Sequence, residues 1–311
     1  MNLEETSLGF YRAWHAALGA RHGLLLALRD VALPPETLAL ELGLDAPAVA
    51  DWAEGAWALG LLTRDARGRY RLAPAHRLTL GEPTSPTYMG HHFDYLTTKS
   101  LTFAALDQRL RGEPTRIDLA DTYAIATRWD HVAGLASLPR AIQQAMQKGI
   151  DVLDLGAGHG GWTRAAQERH PASRYSASDL DLTPLRTLQG ARILPTHELP
   201  HHAYDLVHLG EVLAAAKDPH DVLHTAYRAL RPGGRLLLLE GLRPTTRPHT
   251  WGQKLILAMT LDFATDGSRY LSQGRLRATL KEAGFAGARL RDLGGSLFMV
   301  TARKPLTSKR A

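Results

Sequence analysis

The chain contains no cysteine. That excludes disulfides, thiolate metal sites and cysteine nucleophiles, and it removes any argument from redox compartment. Long apolar runs are also missing: the longest pieces, such as Leu24 to Leu28 and Leu236 to Leu239, fall far short of the ~18 residues of a membrane span. The start, Met1 to Glu5, has neither a basic region nor an apolar core. These absences give the expectation of a cytoplasmic protein with no membrane partner. The histidines, including His201 and His202, show no spacing that recommends a metal site. Nor is there a large excess of charge: the formal balance is +6, and four basic residues, Arg303, Lys304, Lys309 and Arg310, crowd into the last stretch as a solvated tail. A nucleic-acid binder concentrates positive charge on a folded face, so composition argues against that partner.

What is present is ample apolar material, 44% of 311 residues, enough for one large domain or two moderate ones. The organising stretch is Asp151-Val-Leu-Asp-Leu-Gly-Ala-Gly-His-Gly-Gly-Trp-Thr163. A short apolar run gives way to four glycines, and a helix-compatible segment, Trp162 to His170, follows at once. Strand, tight loop, helix is the reading. Such a loop needs glycine where the backbone takes positive φ or a ligand approaches closely, and the helix start offers free N–H groups. Gly156, Gly158 and Gly161 satisfy the dinucleotide fingerprint, while Gly156, Gly158 and Gly160 satisfy the tighter pattern of adenosylmethionine-binding loops. Asp179 follows a second strand-like stretch, Ser173 to Ser178, near the ~20-residue offset at which a carboxylate meets ribose hydroxyls. Together they indicate a nucleoside cofactor.

Upstream, apolar residues run from Leu8 to Leu28 as a buried or dimer-forming helix. Pro34-Pro35 opens a helix over Glu36 to Leu42, and Asp45 caps another over Ala46 to Leu62. Thr63 to Leu72 is a hairpin turning at Arg67-Gly68. Helix, helix, helix and hairpin predict a mainly helical winged-helix domain over residues 1–80. Its arginines, Arg64, Arg67, Arg69 and Arg71, would suit phosphates, but between Asp45 and Thr63 there is no Lys or Arg, while Asp45, Asp51 and Glu54 are acidic. A DNA backbone would be repelled at the recognition helix, so dimerisation is preferred. A helical connector is expected over 81–140. It holds His91 and His92, which as helix neighbours point apart, and a helical block, Thr122 to Lys148, with Trp129 and His131 as candidate pocket residues.

After Asp179 the strand and helix alternation of a parallel sheet continues. Ala191 to Leu194 and Tyr204 to Leu209 are strands, Asp221 to Leu230 is an amphipathic helix, Arg231 to Gly234 is a stop signal, and Arg235 to Glu240 is a buried strand. Ligands of such sheets lie across the carboxyl ends of the strands, where Asp179, Thr196 to Glu198, Gly210, Glu211 and Glu240 converge. A helix, Gly274 to Ala283, precedes two strands, 287–293 and 296–303, joined by Gly294-Gly295 as an antiparallel hairpin. A dinucleotide fold wants a second nucleotide-binding half instead. The fold class is therefore α/β, a doubly wound, Rossmann-like sheet with an antiparallel terminal hairpin over 141–305, and a basic tail at 306–311.

Val152 to Gly160, Asp179-Leu180, Tyr204-Asp-Leu-Val, Ala229 to Arg235 and the hairpin after Ala283-Gly-Phe285 resemble a class I S-adenosylmethionine-dependent methyltransferase. With the N-terminal helices they resemble, more narrowly, small-molecule O-methyltransferases that dimerise through a winged-helix domain. The resemblance implies S-adenosyl-L-methionine as cofactor and S-adenosyl-L-homocysteine as product. Asp154, Gly156, Gly158 and Gly160 would surround the methionine portion, Asp179 the ribose hydroxyls, and Leu180 the adenine. Where the family usually has an acidic residue to hold the adenine region, Thr196, His197 and Glu198 are the candidates, with Gly210 and Glu211 nearby. The family's general-base histidine after the fourth strand is absent, Val212-Leu-Ala214 standing in its place; His208 and His220 are out of register. Glu240 is the candidate for a carboxylate touching the acceptor, a strand-end glutamate fixing a loop being the competing reading. Trp251, Met259 and Phe263, in an insertion over 243–270, would line a pocket for an apolar or aromatic small molecule, unless they are simply core. Two alternatives stay open: a winged-helix regulator that senses the cofactor, and an enzyme that binds it but does not transfer methyl.

Overall fold

The computed structural model describes residues 2–306, apart from 86, 114–134, 136, 264–268 and 295. The described residues form two compact units, one through Ala104 and one from Ala105 onward.

In the first unit, Asn2 caps α1 (Leu3–Arg21) by accepting from Glu4 N at 3.0 Å. The run expected to be one helix to Leu28 breaks at Gly23, whose φ of 74° leaves the helical region, and resumes as α2 (Leu24–Ala27). Pro35 opens α3 (Pro35–Leu42), where a missing N–H costs nothing, and Gly43 ends it. Asp45 accepts from Ala48 N at 3.0 Å and caps α4 (Ala46–Ala58). That helix stops before Leu62 because Gly60 turns left-handed and Leu62 enters a hairpin, β1 (Leu62–Arg64) with β2 (Tyr70–Leu72), paired Leu62 to Leu72. Four helices, the first two from one expected run, thus precede the hairpin. The core of this unit is Leu25, Leu28, Leu38, Ala53, Leu61 and Leu72, closed by Trp52, whose Nε1 donates to His15 O at 3.0 Å.

Residues 81–104, read above as the start of a connector, are part of this unit. Within them α5 (Gly90–Ser100) packs along α1, and Arg21 Nε donates to the buried carboxylate of Asp94 at 2.8 Å.

The sheet-bearing part of the second unit runs from α6 (Arg140–Lys148) through β3 (Asp151–Leu155), α7 (Gly161–Arg169), β4 (Arg174–Ser178), β5 (Ala191–Ile193), β6 (Tyr204–Gly210), α8 (Pro219–Ala229), β7 (Leu230–Gly241), α9 (Trp251–Ala258), α10 (Gln273–Glu282) and β8 (Ala286–Asp292) to β9 (Leu297–Arg303). The sheet order is β5-β4-β3-β6-β7-β9-β8, parallel through β7, with β9 antiparallel to both neighbours. Successive residues of β7 serve opposite faces. Leu236 and Leu238 join Leu223, Ala226, Leu276 and Leu280 under α8 and α10, while Leu237 joins Ile142, Met146, Trp162 and Ala166 under α6 and α7. Each such leucine removed from water contributes about 1.5–3 kcal/mol. This is the doubly wound α/β sheet with a reversed terminal hairpin that the sequence predicts.

Three details differ from expectation. The stop at Arg231 to Gly234 holds for the helix, α8 ending at Ala229, but the strand begins earlier than expected: Leu230 already pairs with Tyr204, and pairing resumes at Leu206 with Arg235 after a bulge. The terminal strands are each one residue shorter at the hairpin than expected, β8 ending at Asp292 and β9 starting at Leu297. Lys304 is not solvated: it is 5% exposed and donates to Tyr227 O at 2.6 Å and Leu230 O at 2.7 Å, capping the carboxyl end of α8. No helix among the described residues is long and apolar enough to cross a membrane.

Candidate functional site

The site lies where the parallel strands end. After Leu155 the chain turns at Gly156, whose φ is 76° and whose N–H donates to Ser178 O at 2.8 Å. A Cβ there would stand 2.5 Å from Val212 Cγ2, so side-chain packing as well as backbone conformation demands glycine. Gly158 and Gly160 also have positive φ. α7 then starts without a side-chain cap, leaving first-turn N–H groups for a polar ligand.

Asp179, just past β4, is locked to this loop. Its Oδ2 accepts from Gly158 N at 2.8 Å and its Oδ1 from Leu180 N at 2.7 Å. Leu180 beside it is 97% exposed, a full apolar side chain left in water at the strand ends. Thr196 places its hydroxyl 3.1 Å from Ser178 Oγ and 3.4 Å from Asp179 O, while the neighbouring His197 faces outward beside Glu198. Thr196 is thus at the site's wall.

On the other side of β3, Gly210 closes β6, and Glu211 takes φ 52°, a left-handed conformation that costs a non-glycine residue on the order of 1 kcal/mol. Its N–H donates to Leu239 O at 2.7 Å. Glu240 is 2% exposed, and its Oε1 accepts from Leu213 N at 2.7 Å. The carboxylate holds the 211–214 loop from within. Ala214, 5% exposed, accepts from Arg269 N at 2.9 Å, tying that loop to the far end of the insertion.

Asp154 is buried rather than open to the loop. His208 Nδ1 lies 2.8 Å from its Oδ1, Thr163 Oγ1 donates to its Oδ2 at 2.6 Å, and the His208 ring stacks on Trp162 at 3.9 Å and 6°. One carboxylate therefore joins β3, β6 and the first turn of α7. The sequence reading set His208 aside; the available signal was the parallel register, in which Asp154 and His208 are direct partners.

The pocket-lining residues separate. Met259 is 5% exposed and belongs to the core, whereas Trp251 on α9 is 63% exposed. Tyr270 and Ile256 close over Gly241, where a Cβ would meet them at 2.8 and 3.0 Å. Trp129, His131 and the side chain of Phe263 lie outside the described residues.

A carboxylate set against a glycine loop, an adjacent hydroxyl and an exposed leucine suit a nucleoside with a ribose diol and a flat base; with the strand order, they define a class I methyltransferase fold. The chain belongs to the methyltransferase-domain family, which matches residues 127–290. That segment is thereby a methyltransferase domain. Among solved structures, human N-acetylserotonin methyltransferase in complex with SAM superposes with a TM-score of 0.73 at 17% identity, covering 97% of this chain and 96% of that one. Methyltransferase str2 of Strobilurus tenacellus is 30% identical over 28% of this chain and 34% of its own length. The demethylmenaquinone methyltransferase of Chlamydia pneumoniae is 29% identical over 40% of this chain and 61% of its own length. The match thus spans about a third to three fifths of these curated relatives.

Proposed function

We propose that this enzyme methylates an oxygen of an apolar or aromatic small molecule, without a histidine base from the strand that usually supplies one. The observation carrying this reading is the 211–214 loop. Ala214 stands where the base is expected, and Glu240, whose Oε1 accepts from Leu213 N–H of that loop, is buried.

S-adenosylmethionine, when bound at this site, would supply an electrophilic methyl on a sulfonium. Asp179 and Thr196 would hold the ribose, Leu180 the adenine face, and the Gly156 to Gly160 loop the methionine end. Asp154 then acts through Thr163 and His208 as a positioning residue, and Glu240 likewise through Leu213. What remains for the protein is to hold the acceptor oxygen in line at ~3 Å and exclude water, an entropic contribution that needs no proton carrier. A phenol of low pKa reaches the site already as phenolate; one of high pKa does not. Trp251, exposed on α9, is an apolar surface of the kind such an acceptor needs.

The same reading takes the first unit as a winged-helix dimerisation domain of a cytoplasmic homodimer. α1 leaves Leu3, Leu8, Phe10 and Tyr11 exposed, an apolar face that a second copy would cover. DNA is disfavoured, since Arg69 is engaged by Asp65 at 2.7 Å and Arg64 lies over the Trp57 and Tyr70 rings.

The test combines calorimetry with S-adenosylmethionine, S-adenosylhomocysteine and NAD with turnover on phenols of graded pKa. Binding of the first two alone, and a rate that climbs with pH to a plateau set by each phenol's own pKa, is the expected outcome. A pH profile identical for all phenols would reveal an enzyme base and refute the reading. Cofactor binding with no homocysteine product from any acceptor would move the chain to the non-methylating alternative.

A further inference from the structure

At the amino ends of the same strands, away from the glycine loop, a second cavity of about 270 Å³ opens between the first turn of α6 and the outer sheet. It is lined by Pro139, Ala141 and Ile142 on one side and by Arg235, Arg289 and Arg303 on the other. The three arginines come from three adjacent strands. Arg235 of β7 is the register partner of Arg303 of β9, and Arg289 of β8 is the partner of Thr301, two residues along the same face. Like charges directly across a ladder are destabilising, and a carboxylate between them is the usual remedy.

Here there is none. Among the described residues Arg235, Arg289 and Arg303 make no ion pair, whereas Arg231, a few residues away, is held by Asp205 at 2.6 Å and Asp151 at 2.8 Å. Asp205 lines the neighbouring cavity, but its Oδ2 is committed to Arg231 and to Asp151 N at 2.9 Å. The sheet thus neutralises one arginine on this edge with two carboxylates and leaves three bare. α6 adds to the positive field. Its first turn enters the cavity, it is nine residues long, and no side chain caps it, so its free N–H groups and dipole favour an anion at the same place.

We infer that this cavity binds a small soluble phosphate anion, a phosphate monoester or diphosphate, at a site separate from the methyl-transfer centre. Three guanidiniums and a helix start call for at least a dianion, and planar guanidinium donors match phosphoryl oxygens in pairs. Pro139, Ala141, Ile142 and Ala302 offer an apolar wall for the few carbons attached to it.

Inorganic pyrophosphate is the probe, titrated calorimetrically into the full chain at low ionic strength. The comparison is with Arg303→Gln, Arg289→Gln and, as control, Arg192→Gln on the exposed side of β5. Saturable one-site binding is expected, about tenfold weaker or more in each of the first two variants and unchanged in the control. All variants should keep the wild-type melting temperature, since none of these side chains is buried. Heat that does not saturate, or equal affinity in wild type, Arg303→Gln and Arg289→Gln, overturns the inference.

Discussion

The buried Asp154 carboxylate sets the most demanding test, through His208→Phe. Phenylalanine keeps a ring against Trp162, which the histidine meets at 3.9 Å nearly parallel, but it removes the nitrogen 2.8 Å from Asp154 Oδ1. The carboxylate is 2% exposed, so water cannot replace that partner. Losing a hydrogen bond to a buried charged group costs about 1.5–3 kcal/mol. At roughly 2–4 °C per kcal/mol for a unit of this size, the melting temperature should fall by about 3–12 °C. His208→Ala adds the lost stacking, about 0.5–1.5 kcal/mol, and a cavity of comparable or larger cost, roughly doubling the shift. Adding Asp154→Asn to His208→Phe should then cost less than it does alone, with a coupling of at least about 1 kcal/mol. Because Thr163 shares the carboxylate, cofactor affinity should weaken several-fold in parallel. A His208→Phe protein melting within a degree of wild type, with unchanged S-adenosylmethionine affinity, would refute the argument that this cluster sets the loop.

Three further outcomes are expected. Gly156→Ala should weaken cofactor binding and lower stability by about 1–3 kcal/mol, from the left-handed φ and the 2.5 Å approach to Val212; Val212→Ala should restore only the steric part, read by denaturant midpoints. Asp179→Ala removes a carboxylate that holds Gly158 N–H and faces the ribose position, and calorimetry should show at least about a tenfold loss of affinity; an unchanged Kd would sink the placement of the site. Burial pushes the His92 imidazole down to about 4, so the folded chain keeps it neutral while the unfolded chain protonates near 6.5. Stability from this group is complete above pH 6.5 and declines by about 3 kcal/mol as the pH falls from 6.5 to 4, a slope that His92→Gln should flatten in urea titrations.

How much of this was legible depends on distance along the chain. The change from Leu155 to Gly156 is local, and it placed strand, loop and helix correctly; Asp45 as a cap and Asp179 as the acid after β4 are equally local. The interior of the site is not. Asp154 meets His208 only because β3 and β6 are neighbours in one register, a fact no window of sequence contains. Arg21 and Asp94 bring α5 onto α1 in the same non-local way, which is why residues 81–104 read as a connector. Pro232 and the two glycines after it mark the end of α8 at Ala229, but not that the backbone of Leu230 is already in the ladder with Tyr204. Met259 and Trp251 show the opposite limit: helical spacing marks both as apolar, and only packing separates the buried one from the exposed one.

The place of β9 in the sheet bears on how the chain is made. β7, with its run of four leucines, receives its second neighbour only from β9, so the stretch 242–296 must be synthesised before that edge can close. At ~5–20 residues per second this leaves a leucine-rich strand edge unpaired for on the order of 3 to 10 seconds on each ribosome. An open apolar edge is a template for pairing with other chains. A chain cut short before Leu297 would carry that edge permanently. A truncation that removes β9 should therefore surface first as insolubility, before any measurement of catalysis could be made.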